Sequence, residues 1–238
     1  MAAPRTGKKS LKLRLLHSWD VAYQEAVSIQ NSLKKELILH DGVKTGPVNI
    51  IAGADISYGR GSDLFFAAVV LLSFPDLEPI EEVHAVARVS FPYIPGLLSF
   101  REGPVLLKAF KNIQRVPDVI IFDGQGIAHP RGIGLAAHLG LFLDIPAIGC
   151  AKSRLCGEHR EPGPFPGDHE DLLYQGQAIG SVLRTKARVR PVFVSPGHLI
   201  SLERSREITL NCCRGYRLPE PVRQAHLAVN RLRISYSA

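Results

Sequence analysis

Three apolar runs crowd into residues 48–57, 64–74 and 80–90, and the connectors between them are short and rich in turn-forming residues (Tyr58-Gly59-Arg60-Gly61-Ser62-Asp63 and Pro75-Asp76-Leu77-Glu78-Pro79). Neither connector can hold a crossover helix, so the runs must pair as an antiparallel three-stranded meander. Ahead of them, Ala22, Ala26, Ile29, Leu33 and Leu37 recur at helical spacing. That pattern predicts a helix within 18–39 with Ser18 as its N-cap.

Beyond residue 98 the pattern alternates. Helices are expected at 99–114 and 132–143, and short apolar strands at 118–122 and 146–150. Strand, helix, strand at this spacing implies right-handed crossovers and parallel pairing. A Gly/Pro-rich loop at 157–167 is followed by two further strands (178–185 and 192–195) and two closing helices (200–213 and 220–231). The expected fold is therefore α/β: one mixed sheet, an antiparallel meander followed by parallel strands, flanked by helices. Residues 13–238 read as one domain behind a basic, disordered tail at 1–12.

Composition limits the class. Hydrophobic residues make up 45% and charged residues 21%, values of a folded globular chain that exclude a disordered or fibrous one. The longest apolar run is of strand length, and the basic N-terminus lacks the apolar centre of a signal peptide. A soluble, cytoplasmic protein is expected, a monomer by default and without a membrane partner. Twenty-nine Lys and Arg against 22 Asp and Glu leave a net charge of +7, which favours a polyanionic partner such as nucleic acid, although basic charge also serves solubility. The four cysteines form no C-x-x-C pair and read as reduced thiols.

Two acids stand out because they interrupt apolar strands: Asp55 in Ile50-Ile51-Ala52-Gly53-Ala54-Asp55, and Asp123 after Val119-Ile120-Ile121-Phe122. An unpaired buried carboxylate costs several kcal/mol, and acids at the carboxyl ends of parallel strands project into the ligand crevice of an open α/β sheet. If the two strands are neighbours, the carboxylates face each other, and Glu102, at the start of the helix after the meander, can reach the same crevice. Clustered carboxylates repel unless a divalent cation lies between them, and oxygen ligands suit Mg2+ or Mn2+. On a basic protein this points to metal-assisted hydrolysis of a phosphodiester. The plainer reading is that Asp55 ends a strand and Asp123 opens an Asp-Gly turn; the pair together favours the metal.

Gly124-x-Gly126 lacks the third glycine of a dinucleotide loop, so it does not mark a nucleotide cofactor. His129 and Lys152 lie in loops near the strand ends, and His226 sits in an apolar helical turn where a buried structural histidine is equally expected. Residues 91–98 (Phe-Pro-Tyr-Ile-Pro-Gly-Leu-Leu) make a stiff apolar loop around Tyr93, suited either to wedging between stacked bases or to packing at a hairpin corner.

The ordered set Asp55, Pro92-Tyr93-Ile94-Pro95-Gly96, Arg101-Glu102, Asp123-Gly124-Gln125-Gly126 with His129-Pro130-Arg131, and Gly149-Cys150-Ala151-Lys152 resembles the endonuclease V family, over nearly the whole chain. The resemblance implies an RNase H-like fold and a Mg2+-dependent endonuclease, with Mn2+ as substitute. Its substrate would be inosine-containing DNA, and RNA in some members, cut on the 3′ side of the flipped inosine as in repair of deaminated DNA. By the same resemblance Asp55, Glu102 and Asp123 would be metal carboxylates. Tyr93, within Pro92, Ile94 and Pro95, would be the wedge. Gly96, Leu98, Gly124, Gly126, Gly149 and Leu155 would line the base pocket, Lys152 would meet the phosphate or the attacking water, and His129 and His226 would act near metal and phosphate. The competing readings are an RNase H-like nuclease of other specificity and a nucleic-acid-binding module without catalysis.

Overall fold

The computed structural model describes residues 11–42 and 46–236; most of the expected N-terminal tail lies outside that range. Leu11, inside the expected tail, packs with Leu13 and Leu16 against the main core.

Eight strands form one sheet. The meander is β1 (Ile50–Tyr58), β2 (Leu64–Ser73) and β3 (Pro79–Arg88), followed by β4 (Val119–Phe122) and β5 (Ala147–Ala151), then β6 (His169–Tyr174), β7 (Gln177–Leu183) and β8 (Val192–His198). The sheet order is β3-β2-β1-β4-β5-β8-β7-β6. β1, β4 and β5 run parallel, whereas β8, β7 and β6 extend the sheet antiparallel. The mixed α/β sheet is thus as expected, with its parallel part confined to the three central strands.

Burial alternates along the strands and divides the core between two faces. Ala52, Ala54, Phe65, Ala67 and Phe122 pack on one side under α2 (Leu98–Phe110) and α3 (Leu135–Leu143). Ile51, Phe66, Ala68, Val119 and Ile121 pack on the other, under α4 (Leu202–Asn211) and α5 (Glu220–Ser235). This period of two, with both faces covered, is why the central strands read as continuous apolar runs.

Three departures have physical causes. The first helix, α1 (Tyr23–Leu33), begins later than expected, because the Ser18 hydroxyl accepts the Asp20 N–H in a local turn at 3.2 Å instead of capping the helix. β8 runs on through Pro196 because the ladder shifts register there, where a missing N–H is tolerated. β6 was not expected. Its sequence, His-Glu-Asp-Leu-Leu-Tyr, is that of an edge strand with only Leu172 buried, and the Gln175-Gly176 turn, both residues at positive φ, joins it to β7. All four cysteines are free thiols. Among the described residues no helix is long and apolar enough to cross a membrane.

Candidate active site

Strand parity brings the two acids together. β1 and β4 are parallel neighbours with Ala54 opposite Phe122, and the Asp123 N–H donates to the Ala54 carbonyl at 3.1 Å. Asp55 and Asp123 are therefore the next pair in register, and both share the strand parity of Ile51, Val119 and Ile121, on the face that α5 covers. That helix lies very close to β1. A Cβ on Gly53 would meet the Pro221 carbonyl oxygen at 1.9 Å, so only glycine allows the approach that sets His226 over Asp55.

The resulting cluster is compact. His226 Nδ1 lies 2.8 Å from Asp55 Oδ2, and Asp55, Asp123 and His226 each bring a ligand atom within 4.8 Å of the others. Asn230 steadies the ring, its Nδ2 lying 3.2 Å from His226 Nε2 and donating to the His226 carbonyl at 2.9 Å. Lys152 donates to Asp123 Oδ2. Glu102 enters from α2, on the opposite face of the sheet, and stands outside the three-residue ligand group.

Electrostatics show the stress of this arrangement. Burial, and then the charges of Asp55 and Asp123, push the Glu102 carboxyl up to about 8. Burial and the charge of Asp123 raise Asp55 to about 6, against the opposing hydrogen bond from His226. Facing carboxylates held in poorly solvated surroundings form a donor set that fits a hard divalent cation. Asp55, Asp123 and His226 would hold it, with Glu102 close behind.

Beside the acids lies a cavity of about 130 Å³. Six of the expected base-binding residues line it: Tyr93, Ile94, Pro95, Gly96, Leu98 and Leu155. Tyr93 and Leu155 are 66% and 50% exposed at its mouth. Pro92, Gly124, Gly126 and Gly149 do not line it. Gly126 and Gly149 instead let backbones pack directly, since a Cβ on Gly149 would meet the Gly126 nitrogen at 2.2 Å.

His129 sits in the cavity wall and outside the ligand group. Its Nδ1 accepts the Arg131 N–H at 3.1 Å, and its Nε2 lies 3.0 Å from the Gly96 carbonyl. Burial, with Arg131 nearby, lowers its pKa to about 4, so the ring is a neutral strut that donates to Gly96. Arg131 and Gln30 also donate to the Gly96 carbonyl. Gly96 itself has φ +80°, and the three donors hold the 93–98 loop in shape. From the other side, Arg101 donates to the Phe91 carbonyl at 2.8 Å while its guanidinium lies over Phe65. Gln30, Ser99, Gln125, Gly134 and Leu135 complete the lining and were not singled out from sequence. Polar residues on α1 and α2 carry no sequence signal for burial; only Gln125, inside the Gly-x-Gly turn, offered one.

A profile of the endonuclease V family matches residues 31–227. The chain belongs to the endonuclease V family. The Endonuclease V of Methanothrix thermoacetophila is 51% identical over 226 residues, covering 94% of this chain and 99% of the relative. The crystal structure of the Bacillus subtilis Endonuclease_V superposes with a TM-score of 0.90 at 33% identity, covering 95% of this chain and 98% of that one. A Ciona intestinalis Endonuclease V, in complex with a 24mer DNA containing an inosine followed by a ribo-adenosine, superposes with a TM-score of 0.77 at 29% identity, covering 90% of this chain and 98% of that one.

Proposed function

We propose that this protein is a divalent-metal-dependent endonuclease that draws the hypoxanthine of an inosine into the cavity and hydrolyses a phosphodiester on its 3′ side, acting in repair of deaminated DNA and on inosine-containing RNA. One observation carries the reading: the acid cluster and the cavity share the same two chain segments. Glu102 lies on the helix whose first turn, Leu98 and Ser99, lines the cavity, and Gln125 in the wall is two residues from Asp123, a reach of at most ~7 Å along the chain. A base seated in the cavity thus keeps its own backbone beside the acids. The inosine-containing DNA bound by the Ciona relative supports the same substrate.

Asp55, Asp123 and His226 would hold Mg2+ or Mn2+, which would supply Lewis acidity toward a phosphodiester. The chain's own residues supply the rest. Lys152, beside Asp123 and 40% exposed at its side chain, offers positive charge to the phosphate. Exposed Tyr93, between the ring-stiffened Pro92 and Pro95, supplies an aromatic face where the extruded base leaves a gap in the stack. Inosine pairs weakly, which lowers the cost of extrusion relative to a normal base.

Cleavage of single-inosine DNA and RNA oligonucleotides with Mg2+ and with EDTA tests the reading. The expected result is a metal-dependent nick on the 3′ side of the inosine. An intact strand under both conditions, with binding retained, overturns the enzyme in favour of a binding module.

A further inference from the structure

Two polar groups in the cavity wall are not needed by the acid cluster, and both end as bare acceptors. Gln125 lines the cavity, and its Oε1 is buried without a hydrogen-bond partner. Its orientation is fixed from the other end, because Nε2 donates to the Ser153 carbonyl at 3.0 Å and a carbonyl can only accept. The backbone around it is pinned as well: the Gln125 carbonyl accepts the Ala136 N–H at 2.9 Å, and the next amide, Gly126 N–H, donates to Ser195 Oγ at 2.8 Å.

Ser99 reaches the same state through two histidines. His17 Nδ1 lies 2.7 Å from the Ser18 carbonyl oxygen, His17 Nε2 lies 2.7 Å from His138 Nε2, and His138 Nδ1 lies 2.8 Å from Ser99 Oγ. Burial lowers the pKa of both rings, that of fully buried His138 most, so each is neutral with one N–H. The Ser18 carbonyl obliges His17 to carry its hydrogen on Nδ1. His17 Nε2 therefore accepts from His138 Nε2–H, which leaves His138 Nδ1 to accept from the Ser99 hydroxyl. With its hydrogen committed to His138, Ser99 has only lone pairs for a molecule in the cavity.

We infer that Gln125 Oε1 and Ser99 Oγ read the ring edge of the bound purine, selecting a 6-oxopurine, which carries a hydrogen on N1, over adenine, which carries a lone pair there. His17 and His138 are positioning residues that fix the sense of the Ser99 hydroxyl. Facing adenine, an acceptor held opposite N1 meets a lone pair and stays unpaired, a stronger basis for rejection than shape alone. This selection rests on the inosine reading above and assigns its specificity to two side chains.

The test measures binding by the full chain in EDTA, where nothing is cut, to three otherwise identical DNA oligonucleotides. They carry inosine, adenosine, or nebularine, the purine nucleoside with no group on C6 and a bare N1. Gln125→Met removes an acceptor at similar size, and Ser99→Ala removes the hydroxyl. Each is expected to shrink the inosine-over-nebularine preference about tenfold while leaving affinity for nebularine unchanged. His17→Phe keeps the ring packing, drops the relay, and moves the same ratio in the same direction by a smaller factor. Equal weakening toward all three oligonucleotides, or an unmoved ratio, overturns the inference, and the function stands if the parent still cuts at inosine. A parent that prefers none of the three and cuts none overturns both. If Ser99→Ala does not fold, Gln125→Met carries the test.

Discussion

The acid cluster and the cavity, joined through the start of α2 and the turn after Asp123, are built by opposite physics. Around Asp55 and Asp123, burial and like charge work against the fold, raising Asp55 to about 6 and Glu102 to about 8. Around Gly96, polar groups are almost all paired: one carbonyl takes donors from neutral Gln30 and His129 and from the Arg131 guanidinium. The first region is unstable until something cationic arrives, and the second is preformed. On the proposed function, recognition is organised before binding, while the reactive end would be completed by its cation.

Removing a carboxylate breaks this contrast most sharply. Asp55→Asn or Asp123→Asn is expected to cut the rate of inosine-dependent cleavage by roughly 10²–10³-fold, with binding of the same strand in EDTA kept within about threefold. Equal losses in both assays end the division of labour between the two regions. Tyr93→Ala tests the other end. It is expected to weaken binding to inosine strands by about 1–3 kcal/mol, the worth of one base–aromatic stack, and to leave metal binding measured by calorimetry unchanged.

Gly96→Ala probes how far the cavity is preformed. A Cβ there lies 2.5 Å from the Arg131 guanidinium at a backbone φ of +80°, and a loss of about 1–2 kcal/mol in urea unfolding is expected, with weaker inosine binding. The smallest effect is on pH. The folded carboxyls of Glu102 and Asp55 keep protons that the unfolded chain releases near pH 4, so these two groups stabilise the metal-free protein less as pH rises toward about 8. Buried, neutral His17, His129 and His138 act in the opposite sense below about pH 6.5, where the unfolded chain takes up protons that they refuse. Thermal melts from about pH 6.5 to 8 should therefore show the decline in EDTA, a shallower one in Glu102→Gln, and its reversal by Mg2+. A flat metal-free profile would mean that the acids are not in conflict.

Much of the fold was legible from short-range pattern. The meander follows from connectors too short for a helix, and Asp55 and Asp123 stood out because an acid in an apolar strand needs a partner. β6 escaped because an exposed edge strand needs neither apolar alternation nor β-branched residues, and its His-Glu-Asp start reads as loop. Ser18 reads as a cap because a cap and a local turn use the same hydroxyl. Gly126 and Gly149, expected in the pocket, serve direct backbone packing, and a sequence shows only that glycine is present.

Periodicities of two and of three to four report which side of its own element a residue occupies, so the sequence by itself determined the strands, the helices and the faces of the two acids. Which elements then meet depends on packing between distant segments. His226 reaches Asp55 across 171 residues because Gly53 admits α5, and Ser99 acquires its sense of hydrogen bonding from His138 and His17, the latter pair 121 residues apart. A hydrogen bond or a ligand set is satisfied over a few ångströms in space, and no spacing along the chain encodes that distance.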